Sequence, residues 1–430
     1  MARSSAPARL LSSLGSLGYI WPMRLTDLEQ RMLDGALGEA RRWAIGQQIA
    51  VGEFFDAEDF VAVSQVHICA DTEALGESGV VFLERLAALP EAERRVMVPT
   101  VTDSRGADFQ RFGAIRQPGW MVDLERRAAD ALAALGMFMT DTCINYQCVL
   151  PPVRGEHLAF GDTGSVIYAN SVCGARSNYE GGPAALAAAL TGRTPRYGFH
   201  LDAVRRGNRR YRLTDPPRSL SDWGAVGALI GREQESYWQV PVIEAAGPPP
   251  GSDQLKHLGA AMASYGSSAM FQIPGVTPDA GPPTGDGTPL GHAEIDRFYA
   301  GFQPSRDELD VVVFAAPQLS LFELDQLAKL LDGRRVHGNT ALIAATAPEI
   351  RRAAERMGVI GGIEAAGGIV LEGVCFYQMH ARELALANGW RTLMTNSAKL
   401  VNIIAGYGYE PVLAPMSRCV LSAVAGRIAR

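Results

Sequence analysis

The chain has 430 residues, 47% of them hydrophobic, enough apolar material for a large core and for two or three domains rather than one small module. Charged residues make up 20% and the net charge is −6, which leaves no basic stripe of the kind a phosphate backbone requires, so no nucleic-acid partner is expected. Six cysteines without disulfide spacing or a CxxC pair suit a reducing compartment, and no stretch approaches the roughly 20 uninterrupted apolar residues that span a bilayer, so a soluble, cytoplasmic protein without membrane contact is expected.

Residues 1–24 stand apart, with Arg3, Arg9 and Arg24, several serines and no acid before Asp27. They read either as an organelle transit segment or as an upstream start with Met23 as the true beginning, and in both cases as an extension outside the fold. From Leu25 apolar residues recur at three and four, and Thr26 with Glu29 forms a capping box, so a long opening helix is expected. Phe60–Ile68 then reads as a strand and Leu75–Leu89 as a helix. Val96–Thr102 follows as strand, Pro118–Leu135 as helix, Val166–Ala169 as a short strand and Pro183–Leu190 as helix. The arginine-rich segment 203–217 reads as a solvated surface loop, or as a face toward an acidic subunit.

The stretch Ala246–Gly251 looks like a connector, which divides the chain into a first α/β lobe over 25–245 and a second over 252–430. In the second lobe the reading is Leu255–Tyr265 helix, Ala269–Ile273 strand, Val311–Ala315 strand, Leu321–Leu331 helix, Thr340–Ala344 strand and Ile350–Met357 helix. Such alternation predicts mainly parallel sheets flanked by helices.

The most informative segment is the loop 169–183, which packs Asn170, Ser171, Cys173, Arg176, Ser177, Asn178 and several glycines between the expected strand and an Ala-rich helix. A loop leaving a strand and opening a helix is where α/β proteins bind anions, and Arg176 offers a planar fork that holds a carboxylate through two hydrogen bonds. A capped turn that satisfies its own backbone is the competing structural account. No G-x-G-x-x-G follows an early strand, no G-x-x-x-x-G-K-[ST] occurs, and no G-x-S-x-G elbow occurs, which disfavours a dehydrogenase, a P-loop enzyme and a serine hydrolase.

The block Asn170 to Asn178, continued by Glu180-Gly-Gly-Pro183, resembles the signature of the aconitase X catalytic subunit. Ordered matches support it at Leu75-Gly76, Val98-Pro99-Thr100, Thr142-Cys143, Gly155-Glu156-His157, Gly275-Val276-Thr277-Pro278 and Thr395-Asn396-Ser397-Ala398-Lys399. The resemblance covers roughly residues 25 to 425. It implies an aconitase-superfamily large subunit and a hydro-lyase that removes water from a small hydroxy-carboxylate, with an iron–sulfur cluster as Lewis acid. Related enzymes act on cis-3-hydroxy-L-proline, the first choice here, or on mevalonate 5-phosphate. The resemblance also implies a separate small swivel-domain subunit.

Catalytic candidates carried by the resemblance are Ser171, Arg176, His67 and Lys399; substrate-binding candidates are Asn170, Arg176, Ser177, Asn178, His157 and Ser397. His200 is a weaker addition. Cys143 and Cys375 match two of the family's three cluster ligands. At the third, where relatives carry Cys-Pro-His, this chain has Ala316-Pro317-Gln318. Three readings stay open: Cys148 or Cys173 as replacement ligand, a smaller cluster or single metal ion, or loss of the cluster. The chain also departs at Gln272, where relatives have His, and at Asp162, where Glu is commoner. A cluster-free paralogue that binds a small anion or its partner without turnover is the reading from another class.

Overall fold

The computed structural model describes residues 23–281 and 286–429; residues 1–22, which hold nearly all of the expected extension, lie outside it. The strands are β1 (Phe60–Ala62), β2 (Gln65–Ile68), β3 (Thr100–Thr102), β4 (Leu158–Phe160), β5 (Arg193–Pro195), β6 (Arg209–Leu213), β7 (Pro241–Glu244), β8 (Thr288–Leu290), β9 (Val311–Leu319), β10 (Ala341–Thr346), β11 (Ile369–Glu372), β12 (Thr392–Thr395) and β13 (Glu410–Leu413). They form a parallel sheet β3-β2-β4, a parallel sheet β7-β6-β8, a five-stranded parallel sheet β11-β10-β9-β12-β13, and an antiparallel pair β1-β5. The expected α/β architecture of parallel sheets flanked by helices is what the chain builds.

The five-stranded sheet shows why. All nine residues of β9 are buried, as a near-continuous apolar run must be when helices cover both faces. From β9 the chain winds outward through β10 to β11, then returns to lay β12 on the other side of β9. Strand order therefore reverses between β9 and β12, and loops leaving the carboxyl ends of such strands diverge to leave a crevice. Helix Leu321–Leu331 starts with a capping box between Ser320 and Glu323.

Several expectations change. The long opening helix is two helices, Asp27–Leu33 and Glu39–Phe54, because Gly35 and Gly38 take positive φ between them; the Thr26–Glu29 capping box is present. Residues 166–169 lie not in a strand but at the end of helix Thr163–Tyr168, started by Asp162 accepting from the Ser165 N–H. A short apolar run such as Val166-Ile167 carries no period of its own, and the N-cap decides it. The arginine-rich stretch is not a solvated loop, since Arg209–Leu213 is the central strand of its sheet. Tyr211 and Leu213 face inward with Arg212 outward between them, a period of two masked by the charges. Residues 269–273 make only a single bridge, Gln272 to Val242. Finally, β8 pairs with β6, so strands on both sides of the 246–251 connector share one sheet, and the lobe boundary expected there falls inside a unit held by backbone hydrogen bonds.

Helices Leu220–Gln234 and Ser252–Gly266 pack so closely that glycines are required at the contact. A methyl group on Gly227 would overlap the Leu258 carbonyl oxygen, and one on Gly266 would overlap the Gly231 backbone. Gly227→Ala should therefore destabilise the fold by about 1–3 kcal/mol, as overpacking does, although alanine is the better helix former. Urea unfolding followed by circular dichroism measures this.

Candidate active site

The carboxyl ends of two parallel sheets meet. From β2 comes His67, followed by Cys69 and Asp71; from β3 comes Asp103; from β4, Asp162. The segment 138–143 runs beside β3, with Phe138 N–H donating to the Thr100 carbonyl and Thr142 N–H to the Thr102 carbonyl, and so presents Cys143. From the five-stranded sheet come Ala316 and Gln318 on β9, Cys375 after β11, and Ser397 and Lys399 after β12. Arg105 N–H donates to the Gly373 carbonyl at 2.8 Å and ties one sheet to the other.

Within this cluster Lys399 Nζ lies 3.2 Å from Asp162 Oδ1 and donates to Thr163 Oγ1 at 3.3 Å. Burial opposes the charge on both partners, but each outweighs it for the other: Asp162 lies below the usual carboxylate range and Lys399 above the usual ammonium value. His67 is fully buried; its Nε2 is 2.8 Å from the Thr142 carbonyl and 3.7 Å from Asp103 Oδ1. A carbonyl only accepts, so Nε2 carries a proton, while Nδ1 is buried without a hydrogen-bond partner. Burial and then the Asp162 charge raise the Asp103 carboxyl, which accepts from the Cys69 thiol and the Gln378 amide. Ser397 donates to the Ala316 carbonyl at 2.5 Å and caps helix Ala398–Ile404.

Cys143 and Cys375 are both buried and are neighbours; burial and then the Cys143 thiol push the Cys375 thiol well up. Cys173 does not join them. It packs among apolar side chains around Val172 and Tyr179, and burial raises its thiol to about 11. Cys148 donates to the Ile144 carbonyl. A cluster held by three protein thiolates needs a third donor where Ala316 offers only a methyl group. Among the described residues no group of three or more His, Cys, Asp or Glu side chains is placed to hold a metal ion. The donor set does not fit a three-thiolate cluster; two thiols suit at most a metal or small cluster completed by ligands from elsewhere.

The signature loop is built otherwise than its sequence suggests. Asn170 donates to the Ser177 and Ala269 carbonyls and accepts from the Ser177 N–H. Ser171 accepts from Phe271 N–H, Ser177 from Phe160 N–H, and Asn178 from Phe199 N–H while donating to the Tyr197 carbonyl. All four are buried, and their polar atoms go to the backbone, so the loop is a knot that anchors β4 and residues 197–200.

Arg176 pairs with Asp202, whose side chain is 84% exposed, and donates to the His200 carbonyl. It bridges to His157 at the start of β4, whereas Asp162 follows the end of that strand, five residues or about 16 Å away at strand rise. The expected placement of Arg176 and His157 beside the thiols is thus corrected: the loop follows a helix and returns alongside β4 at its amino end. His157 Nδ1 and His200 Nδ1 lie 2.9 Å apart, and burial with His157 and two arginines pushes His200 down to about 3.

Asp71, Asp103, Asp141 and Gln378 were not among the candidates. The signal for Asp71 and Asp103 was position, an acid one to three residues beyond a parallel strand; Gln378 had none.

With this geometry established, the chain is an α/β protein of parallel sheets with a candidate site at strand ends. Residues 22–203 match the aconitase X first domain, 199–298 the second and 309–425 the third. The phosphomevalonate dehydratase large subunit of Methanothermobacter thermautotrophicus is 35% identical over 386 residues, covering 88% of this chain and 93% of that one. The cis-3-hydroxy-L-proline dehydratase of Pseudomonas aeruginosa is 30% identical, covering 94% of this chain and 70% of its own length. The crystal structure of Thermococcus kodakaraensis aconitase X in its holo-form superposes with a TM-score of 0.84 at 26% identity, over 93% of this chain and all of that one. The chain belongs to the aconitase X family of hydro-lyases. Among the described residues no helix is long and apolar enough to cross a membrane.

Asp71 yields a pH prediction. Burial, with Glu125, Asp103 and Glu73 nearby, raises its carboxyl to about 7 against the N-cap bond it accepts from Ala74. A carboxyl raised in the fold stabilises it when protonated, so this contribution is complete below about pH 4 and is lost as pH rises through about 7. The span of about three units corresponds to roughly 3–4 kcal/mol. Between pH 4 and 7.5 the unfolding free energy of Asp71→Asn should fall less than that of the parent by this order; parallel curves from denaturant titrations would refute the assignment.

Proposed function

We propose that this hydro-lyase removes water from a small hydroxy-carboxylate in the cluster around His67 and Lys399, with cis-3-hydroxy-L-proline as substrate. The observation that carries the reading is the meeting, at the ends of parallel strands, of an ammonium held charged and an imidazole whose Nδ1 has no hydrogen-bond partner.

Dehydration takes a proton from the carbon beside the carboxylate and hydroxide from the next carbon. The His67 Nδ1 lone pair accepts the proton, with Thr142 fixing the ring. Charge moving into the carboxylate is met by Lys399, which Asp162 keeps oriented and protonated. Asp103, whose carboxyl burial raises, is the acid proposed to give a proton to the leaving hydroxyl, which departs as water. Ser397 positions the turn that carries Lys399. With only Cys143 and Cys375 of the three ligand thiols present, the iron–sulfur expectation lacks its third donor, and no step is routed through a cluster.

Asp71, Asp141 and Asp162 stand around the cluster beside only two cations, Lys399 and Arg105, which suits a substrate bearing its own ammonium, as an imino acid does. Mevalonate 5-phosphate is the second reading, favoured by the 35% identity to an archaeal large subunit. A small-subunit partner is also proposed: the archaeal relatives named large subunits match nearly end to end, and the Pseudomonas enzyme is longer than this chain.

Both compounds are to be incubated with the chain and its small subunit, and dehydrated product followed by mass spectrometry. Turnover of the imino acid is expected, and Lys399→Met should lower kcat/KM by about 10²–10³-fold, the loss typical of one electrostatic donor. Turnover of the phosphate ester alone ends the substrate choice. Full activity in Lys399→Met ends the mechanism.

A further inference from the structure

Gln318 lies two residues beyond Ala316, is fully buried and has all its bonding capacity engaged. Its Nε2 donates to the Asp141 carbonyl at 3.2 Å and to the Val374 carbonyl at 3.1 Å. Its Oε1 accepts from Thr142 Oγ1 at 2.7 Å, and its backbone N–H donates to Cys143 Sγ at 3.3 Å. From the other side its carbonyl accepts from the buried Lys256, which is neutralised by Glu323; that carboxylate also takes the His257 ring.

From β9, Gln318 thus joins two other segments, 141–143 beside β3 and 374–375 after β11, so that three segments are tied together. Each of the first two carries one of the paired cysteines. A metal cluster bound by three thiolates would tie the same three segments together through its ligands. Here the tie is made of hydrogen bonds instead. Leaving the Asp141 and Val374 carbonyls without a donor in this dry place would cost their full desolvation, so Gln318 is a built part of the site and not filler.

We infer that Gln318 is a positioning residue which takes over the task of the missing third thiolate, holding Cys143 and Cys375 as a preformed dithiol without an iron–sulfur cluster. This concerns how the site holds together and is independent of the substrate.

The first test is anaerobic incubation of the full chain with iron and sulfide. Stoichiometric iron and sulfide with visible charge-transfer absorption, lost in Cys143→Ser, overturns the inference; no uptake of sulfide is expected. The second reads local order in metal-free protein, as the rate of native-state alkylation by iodoacetamide at each cysteine, followed by peptide mass spectrometry. Gln318→Glu keeps the shape but cannot donate to the two carbonyls. It should expose Cys143 and Cys375 at least about tenfold faster, while Cys419, on helix Met416–Ala425 and bonded to the Ala414 carbonyl rather than to Gln318, keeps its rate. Should Cys419 accelerate equally, the variant has unfolded, and Thr142→Val, which removes a single bond to Oε1, decides: faster reaction confined to Cys143 and Cys375 supports the clasp. Rates at those two cysteines equal to the parent's, or accelerated only together with Cys419, overturn it.

Discussion

The ion pair between Asp162 and Lys399 is the interaction on which the rest of the site depends. Neither charge is tolerable alone where both side chains are almost fully shielded, because removing an ion from water costs several kcal/mol and only a well-placed opposite charge offsets it. The partners lie 237 residues apart, one after β4 of the three-stranded sheet and the other after β12 of the five-stranded sheet. Bringing them together fixes the two sheets with their carboxyl ends facing one another. His67, Asp103 and the thiol pair then fall into place, being carried at equivalent strand ends.

Parallel sheets end in backbone groups that no ladder partner satisfies, and here those ends are also buried. The chain answers with side chains: Gln318 takes the carbonyls of residues 141 and 374, Ser397 donates to that of Ala316, and His67 to that of Thr142. The groups that can do chemistry are therefore the ones that finish the secondary structure. This couples reactivity to fold, since a ring held by a backbone carbonyl has its tautomer set by the sheet and not by solvent.

Much of the architecture could be read in the sequence because apolar runs bounded by turns dictate parallel strands, and helix 321–331 shows both its limits and its capping box. The family resemblance was legible from ordered short blocks. What those blocks do was not. The block 170–178 looks like a ligand loop because asparagine, serine and arginine serve substrates and backbone alike; only the three-dimensional path shows Asn170 and Asn178 bonded to main-chain atoms. Likewise Val166-Ile167 carried no period, and the N-cap at Asp162, a single carboxylate, turned the segment into helix. The site itself was half visible: His67, Lys399 and the two cysteines were legible as chemistry, whereas Asp103 and Gln318 owe their roles to pairing across sheets.

Ala316, Gln318 and Asp162, the positions where the family resemblance leads one to expect a cysteine, a histidine and a glutamate, are not scattered but surround this one buried volume. At position 162 the shorter acid accepts the Ser165 N–H with one oxygen and meets Lys399 with the other. Asp is among the favoured N-caps, and Glu, one methylene longer, is not. With Asp162 drawn into the helix start, Lys399 is held close to the strand ends, in a region where Ala316 brings no thiolate for it to balance. The adjacent amide of Gln318 brings hydrogen bonds but no charge. A changed ligand position, a changed clasp and a changed counter-ion thus form one electrostatic arrangement, in which the negative charge that a third thiolate would carry is absent and the remaining cation is matched to a single carboxylate.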